Sequence, residues 1–240
     1  MKPISKLIEN WKSLDQLIDN SIISVIGGGA GAFEIAVACS RRFQKRSIKV
    51  QLVTGQQGLL PSLNLKAQDL ARKALKKLNI HLFEGSRVQE HMEGALQLEN
   101  GQVISTTISL VATSAKAPEW FKTSGLPINS SGFVQVQSDL LVEGHQTLFA
   151  AGDCCEFVNQ SLPKAGVFAV RQGPILIENI KLLLHGQSKL QSYKPQKDFL
   201  TILVSGPRTA IASKGSWAFE GRLAWVIKNW IDQRFMKRFD

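Results

Sequence analysis

The sequence predicts an α/β protein whose centre is a parallel β-sheet covered by helices. Short apolar strand patterns alternate with helical patterns through residues 22–83, and this alternation favours parallel strands joined by helices. The pattern then changes to polar and apolar alternation interrupted by Glu93-Gly94 and Asn100-Gly101. Such turns are typical of antiparallel hairpins, so a small meander is expected after the parallel sheet.

The first elements follow from apolar spacing and turn residues. Helical spacing gives helices, and short runs rich in Ile, Val and Leu give buried strands. The predicted order is a helix over residues 4–18, strand Ile22–Ile26, helix Phe33–Cys39, strand Ile48–Val53, helix Leu65–Lys77 and strand Asn79–Phe83.

The remaining elements are predicted by the same criteria. After the meander, they are strands over residues 107–112, 132–136 and 147–151, a helix over 166–185, strands near 199–204 and 209–213, and an amphipathic helix over 220–239.

Composition limits the function classes. The 240 residues carry a formal net charge of +10, but the basic residues are scattered and no nucleic-acid-binding motif accompanies them. No apolar run approaches the roughly 20 residues of a membrane span. The first residues lack the pattern of a signal peptide. We expect a cytoplasmic location, or one at the cytoplasmic face of a membrane, and no nucleic-acid partner.

The three cysteines give no metal site, because none forms a Cys-x-x-Cys pair. Two interpretations of the vicinal pair Cys154-Cys155 stay open: a redox site, or a turn of small, partly buried residues.

A glycine-rich turn lies directly between the first strand and the next helix. Its first glycine permits a tight turn, its second lets the backbone approach a pyrophosphate, and a third small residue lets helix and strand pack closely. The helix N-terminus then offers N–H groups to the phosphates. We therefore predict an NADH or NADPH site formed by Gly27, Gly28, Gly29, Ala30, Gly31 and Ala32.

The end of the second strand leaves the choice of nucleotide open. A carboxylate there normally binds the ribose 2′-hydroxyl of NAD. This chain has Thr54, followed by Gly-Gln-Gln, so that discrimination against NADPH is missing. No arginine stands in this turn to hold a 2′-phosphate.

A second signature occurs downstream, where the run Thr147–Ala151 is followed by Gly152 and Asp153. Here the chain resembles the pyridine nucleotide-disulfide oxidoreductase superfamily, and within it the type II NADH dehydrogenase-like proteins. It is most similar to the flavoprotein module joined to selenide, water dikinase, through residues 163–173 and 228–236.

The resemblance implies roles for several residues. Asp153, with Gly152, is expected to bind the ribityl-pyrophosphate part of FAD. Lys164 and Ala165 precede a helix whose N-terminus is expected to point at the flavin and stabilise its reduced form. The last implied residues are Glu34 near the nicotinamide, and Thr113 and Ser114 in the turn between nucleotide domains.

The resemblance also predicts an incomplete FAD site, since the glycine motif aligns with the NAD(P)H motif and the first FAD motif is missing. The expected fold is a Rossmann-like NAD(P)-binding domain with a three-layer ββα-type sheet and a small meander, part of an FAD domain, and a small α+β C-terminal region. The predicted boundaries are 1–20 for a connector helix, 21–115, 116–190 and 191–240.

The predicted function is FAD-dependent NAD(P)H oxidation with an unidentified acceptor. Hydride transfer between stacked rings needs positioning more than acid–base groups, so no catalytic residue is assigned. The alternative is a truncated, non-catalytic nucleotide-binding or interaction module. A missing N-terminal half or a dimer mate is an expected partner. The basic amphipathic helix either packs on protein or contacts a membrane surface through residues 220–239.

Overall fold

The computed structural model describes residues 11–237 and comprises two compact units. The first joins the chain up to Thr113 with the segment from Leu200 onward, and the second is Ser114–Phe199. Residues 4–10 of the helix predicted over 4–18 lie outside the described residues, residues 11–15 are helical, and residues 16–18 are not. The four domain boundaries given above stay predictions.

The first unit is built on a four-stranded parallel sheet whose strands lie in the order β3 (His81–Phe83), β2 (Lys49–Val53), β1 (Ile22–Ile26) and β7 (Ile108–Val111). Ile26 of β1 lies level with Val53 of β2 and Val111 of β7, so the carboxyl ends of these strands share one edge. Its elements up to Thr113 are β1 Ile22–Ile26, α1 Ala30–Arg42, β2 Lys49–Val53, α2 Leu65–Lys77, β3 His81–Phe83, β4 Val88–Met92, β5 Ala95–Leu98, β6 Val103–Ser105 and β7 Ile108–Val111.

Helices α1 and α2 cover the parallel sheet through one apolar face each. In α1, Ala32, Phe33, Ala36 and Val37 are buried in the main core, and this spacing places them on one face. Helix α2 begins at a side-chain cap, because the Asn64 side chain accepts a hydrogen bond of 2.9 Å from the Ala67 N–H. The predicted and observed limits of α2 agree.

Two antiparallel sheets complete the first unit. The meander predicted over residues 86–104 is present as the sheet β4-β5-β6. The C-terminal segment forms β10 Thr201–Gly206, β11 Thr209–Lys214 and β12 Trp217–Gly221, followed by a helix, Arg222–Met236. Strand β12 was not predicted, and the helix begins two residues later than expected.

The second unit pairs β8 Val134–Val136 in parallel with β9 Cys155–Phe157, and its helix α3 spans Gly166–Leu184. The helix Arg222–Met236 is therefore α4. The predicted strand over residues 147–151 is wrong, because it is reduced to a single antiparallel bridge between Leu141 and Phe149. Phe149 packs against buried Leu140 and Phe168. The apolar residues there indicated burial against other side chains and not a strand ladder.

Candidate functional site

The first two glycines of the turn are required by their close backbone neighbours. Gly27 has a φ of +145°, and a Cβ at this residue would lie 2.3 Å from the carbonyl oxygen of Ala112. A Cβ on Gly28 would lie 2.4 Å from the carbonyl oxygen of Gly58. The Gly27 N–H donates a 2.9 Å hydrogen bond to the Val53 carbonyl. Gly27 therefore lets β1, β2 and β7 meet closely at their carboxyl ends, and Gly28 lets the loop after β2 pass close to the turn.

The next residues of the turn are open to solvent. Gly29, Ala30 and Gly31 are exposed, and a Cβ added to Gly29 or Gly31 would have no heavy atom within 4 Å. Gly29 is the N-cap of α1, with no side-chain cap and no acidic residue in the first turn. The first N–H groups of a helix lack partners inside it and carry partial positive charge. Ala32, by contrast, is fully buried. The turn thus presents an accessible helix N-terminus suited to an anion.

Thr54 follows β2 at the same edge. It is fully buried, and its Oγ1 has no hydrogen-bond partner among the described residues. A Cβ on Gly28 would lie 3.6 Å from the Thr54 Cβ, so Thr54 adjoins the glycine turn. A buried hydroxyl without a partner is unfavourable, and a polar group of a ligand would satisfy it.

A carboxylate from the end of β3 supports the loop opposite the glycine turn. Glu84 accepts hydrogen bonds from the Leu59 N–H, at 2.8 Å, and from both Nε and Nη2 of Arg72. The Leu60 N–H donates to the Gly28 carbonyl at 2.7 Å. The hydrogen bond from Arg72 is the main cause that holds the pKa of Glu84 below its ordinary value, although burial opposes it.

Glu84 and Arg72 were not predicted as site residues. Their only sequence signal is an acidic residue directly after a strand and a basic residue on one turn of α2. They are 12 residues apart, and their pairing follows from the packing of α2 against β3 and not from any motif.

We expect Glu84→Gln to lower the free energy of unfolding by about 1 kcal/mol at neutral pH, since this charge-assisted pair is partly exposed. The lowered pKa of the carboxyl adds stability above its unfolded pKa, and that stability is lost as the pH falls through the folded value. The difference between variant and wild type should therefore shrink in acid. Urea unfolding at several pH values measures this difference in the free energy of unfolding. Glu90→Gln, at an exposed glutamate, is the control. A difference that persists unchanged in acid would contradict the assignment.

Glu34 lies in the first turns of α1 and is half-buried. Its Oε1 accepts a 2.8 Å hydrogen bond from the Val204 N–H of β10. This contact joins α1 to the C-terminal sheet of the same unit. Its expected place near a nicotinamide stays a prediction. Thr113 and Ser114, both exposed, lie where the first unit ends and the second begins.

In the second unit, Gly152 and Asp153 form a short 3₁₀ turn that ends at Cys154. The Gly152 N–H donates a 2.6 Å hydrogen bond to the side-chain oxygen of Gln172 in α3. Ala165 is the N-cap of α3 and provides no side-chain cap. Gly152, Asp153, Lys164, Ala165 and Gln172 all line one small cleft. The residues expected to contact FAD within this unit therefore lie together.

Lys164 is held by protein groups in this cleft. Its Nζ lies 2.6 Å from Glu156 Oε2, contacts the Cys155 carbonyl oxygen and stands 4.3 Å from the centre of the Phe133 ring. Burial raises the pKa of Glu156, but hydrogen bonds from Lys164 and the Leu162 N–H outweigh it and lower that pKa. The Lys164 side chain therefore orders the turn before α3, and its expected contact with cofactor stays a prediction.

Cys154 and Cys155 are free thiols beside this turn. The Cys154 thiol donates to the Ala151 carbonyl at 3.1 Å. A hydrogen bond with Cys155 lowers the pKa of Cys154, and the same contact raises the pKa of Cys155. Within residues 11–237, no cluster of His, Cys, Asp and Glu suited to a metal ion occurs.

Helix α4 exposes a stripe of apolar side chains. Leu223, Val226 and Trp230 are largely accessible and fall on one helical face, while Ala224 on the opposite side is fully buried. The Arg234 guanidinium stands 5.3 Å from the Trp230 ring centre. No helix in the described part of the chain has the length and apolar character needed to cross a membrane.

Comparison with known proteins identifies a family. The family described as "Pyridine nucleotide-disulphide oxidoreductase" matches residues 4–173. Human ferroptosis suppressor protein 1 is 27% identical over 229 residues, which cover 90% of this chain and 59% of that protein. A type II NADH:quinone oxidoreductase of Staphylococcus epidermidis is 25% identical, over 71% of this chain and 46% of that protein. The chain therefore spans little more than half the length of the first curated relatives.

A solved structure has the same fold. The structure of NDH2 from Plasmodium falciparum in complex with NADH matches with a TM-score of 0.78 at 12% sequence identity. The match covers 89% of this chain and 62% of that one. At this identity the match establishes the fold alone.

Proposed function

The chain belongs to the pyridine nucleotide-disulphide oxidoreductase family, and we propose that it is an FAD-dependent NAD(P)H oxidoreductase. Residues Gly27–Ala32 would hold NAD(P)H, and bound FAD would supply the ring that takes its hydride and passes the electrons to an unidentified acceptor. The protein's part in such a reaction is to hold and orient the two rings. No side chain is assigned an acid–base role.

The observation that carries this proposal is the division of the glycine turn into a packed and an open part. Gly27 and Gly28 face backbone oxygens, while Gly29 and Gly31 face empty space at the start of α1. A turn needed only for folding would be more stable with other residues at both open positions. Gly31 lies inside the first turn of α1, where Gly is less stable than Ala by about 1 kcal/mol, and Gly29 is an N-cap that lacks the capping side chain of Ser, Thr, Asn or Asp. Close approach of a pyrophosphate to the backbone explains them.

FAD supplies, when bound, a ring that accepts the hydride. Gly152 and Asp153 would hold its ribityl-pyrophosphate part, and Ala165 and the start of α3 would face the flavin, where the helix dipole favours negative charge. The hydrogen bond from the Gly152 N–H to Gln172 holds the turn that carries these residues, and we propose that they form one half of the FAD site. We propose that an N-terminal segment or a dimer mate provides the other half.

We expect the purified 240-residue chain to be colourless yet to bind NAD(P)H. Absorbance spectroscopy checks the first point and nucleotide titration the second. A stoichiometric flavin absorbance after purification would contradict the incomplete FAD site without affecting the NAD(P)H site.

The second candidate is a non-catalytic nucleotide-binding module, favoured by the half-formed FAD site around Gly152. NADH and NADPH oxidation with added FAD and an artificial electron acceptor distinguishes the two. Turnover supports the oxidoreductase. Nucleotide binding without turnover supports the module, and absence of binding excludes both.

We also propose that α4 contacts the surface of an anionic membrane through Leu223, Val226 and Trp230, with Arg234 near the lipid phosphates. The triple variant Leu223→Ser, Val226→Ser and Trp230→Ser should reduce co-sedimentation with phosphatidylserine vesicles severalfold. The exposed Ile177→Ser on α3 is the control. Equal pelleting of both variants and wild type would favour packing of α4 on protein instead.

The similarity to the flavoprotein module joined to selenide, water dikinase is a further proposal, resting on residues 163–173 and 228–236. This similarity does not identify the natural electron acceptor, and the activity assay above therefore uses an artificial one.

A further inference from the structure

An arginine lies across the end of β2 although none is present in the β2 turn itself. Arg87 comes from the segment between β3 and β4, and its side chain covers Gly55. A Cβ on Gly55 would lie 3.1 Å from Arg87 Cγ and 3.6 Å from Arg87 Nε. Gly55 therefore leaves the space that the Arg87 side chain occupies, directly after Thr54.

The position of Arg87 is fixed by its backbone. The Glu99 N–H donates a 2.9 Å hydrogen bond to the Arg87 carbonyl, and buried Ser86 accepts one from the Asn100 N–H at 3.2 Å. The meander therefore anchors the segment that carries Arg87. The side chain is exposed, and no carboxylate in residues 11–237 forms an ion pair with it.

In a dinucleotide-binding site, the residues at the end of the second strand select between NAD and NADP. The adenosine ribose lies at the end of the second strand, where a carboxylate selects the 2′-hydroxyl of NAD and an arginine accommodates the 2′-phosphate of NADP. No carboxylate occurs in Thr54–Gly58. The guanidinium offers a planar set of donors that matches a phosphate and keeps its charge at all relevant pH values.

Two acidic side chains lie near the end of β2. Glu84, whose Oε1 would lie 2.7 Å from a Cβ on Gly58, is paired with Arg72. Glu99 Oε2 is 3.3 Å from the amide nitrogen of Gln56. This contact engages Glu99 with a neutral donor and leaves the Arg87 guanidinium without a carboxylate partner. Glu99 forms no ion pair within residues 11–237, so it is the carboxylate here that would accept a ribose hydroxyl and favour NADH, and it belongs in the test.

We propose that Arg87 binds the 2′-phosphate and makes this chain selective for NADPH over NADH. The inference rests on the proposed NAD(P)H site at Gly27–Ala32 and adds the choice between the two nucleotides. It assigns selectivity to a residue outside the glycine motif and outside the β2 turn.

Fluorescence titration of the intact chain with NADPH and with NADH tests the proposal, because it needs no FAD and no turnover. Wild type should bind NADPH at least about tenfold more tightly than NADH. Arg87→Gln should weaken NADPH binding by about tenfold or more, since a charge-assisted contact is lost, and change NADH binding less than about twofold. Arg87→Lys keeps the positive charge but loses the planar set of guanidinium donors, so it should retain part of the preference for NADPH over NADH.

The matched control is Arg41→Gln, an exposed arginine near the opposite end of α1. It should leave both affinities unchanged. Equal loss of NADH and NADPH affinity in Arg87→Gln, or a wild type that prefers NADH and loses that preference in Glu99→Gln, would overturn the inference and leave the proposed function standing. Failure of wild type to bind either nucleotide would overturn the proposed function itself.

Discussion

Substituting Gly27 by alanine should lower the free energy of unfolding by about 3 kcal/mol or more, because it adds overpacking to backbone strain. The new Cβ would lie 2.3 Å from the Ala112 carbonyl oxygen, and the φ of +145° is one that L-residues rarely adopt. The Ala112 backbone cannot easily move away from the new Cβ, because the Ala112 N–H donates a 2.8 Å hydrogen bond to the Ile26 carbonyl. The turn cannot relax without disturbing the pairing of β1 with β7.

Urea unfolding of Gly27→Ala measures this effect, with Gly31→Ala as the matched control in the same turn. The Gly31 Cβ position is empty, so alanine should raise the free energy of unfolding by about 0.5–1 kcal/mol through its better helix propensity. Equal stability of Gly27→Ala and wild type would contradict the packing described for this turn.

Substituting Gly29 by valine should abolish nucleotide binding while the protein stays folded. The site of the new side chain has no heavy atom within 4 Å, and Gly29 has an extended backbone that any residue adopts. The valine would occupy the space that the pyrophosphate needs in front of the N–H groups of α1. Loss of two or more charge-assisted hydrogen bonds corresponds to an affinity lower by at least about 100-fold.

Isothermal titration with NADPH and NADH measures this loss, and circular dichroism shows that the fold is kept. Gly173→Val is the control, because Gly173 lies inside α3 and its Cβ position is also empty. Its nucleotide affinity should match wild type. Retained nucleotide affinity in Gly29→Val would remove the glycine turn from the site.

The elements that the sequence predicted correctly are those specified by local residues. Helix α2 has a capping asparagine at Asn64 and a regular buried face, and β1 is a short apolar run bounded by Ser21 and Gly27. The helix cap and the bounded apolar run are each recognised from a few neighbouring residues. Strand β9 contains only Cys155–Phe157, too few residues for a pattern, and its strand character depends on pairing with β8.

The candidate site also combines features set by local sequence with features set by strand pairing. The glycine motif, and the absence of an acidic residue at Thr54, can be identified from neighbouring residues in the sequence. Glu84 and Arg87 reach the end of β2 from the neighbouring strand and its following loop. The β2 turn itself contains no arginine, and the parallel pairing of β2 with β3 brings the segment that carries Arg87 to this turn.

The proposed function requires that the turn Gly27–Ala32 hold the pyrophosphate of a nicotinamide dinucleotide. A crystal structure of the intact chain grown with NADPH shows whether it does. We expect the pyrophosphate against the N–H groups at the start of α1, over Gly29 and Gly31, with the adenosine ribose at the end of β2. A nucleotide bound elsewhere, or the pyrophosphate of FAD at this turn, would contradict it.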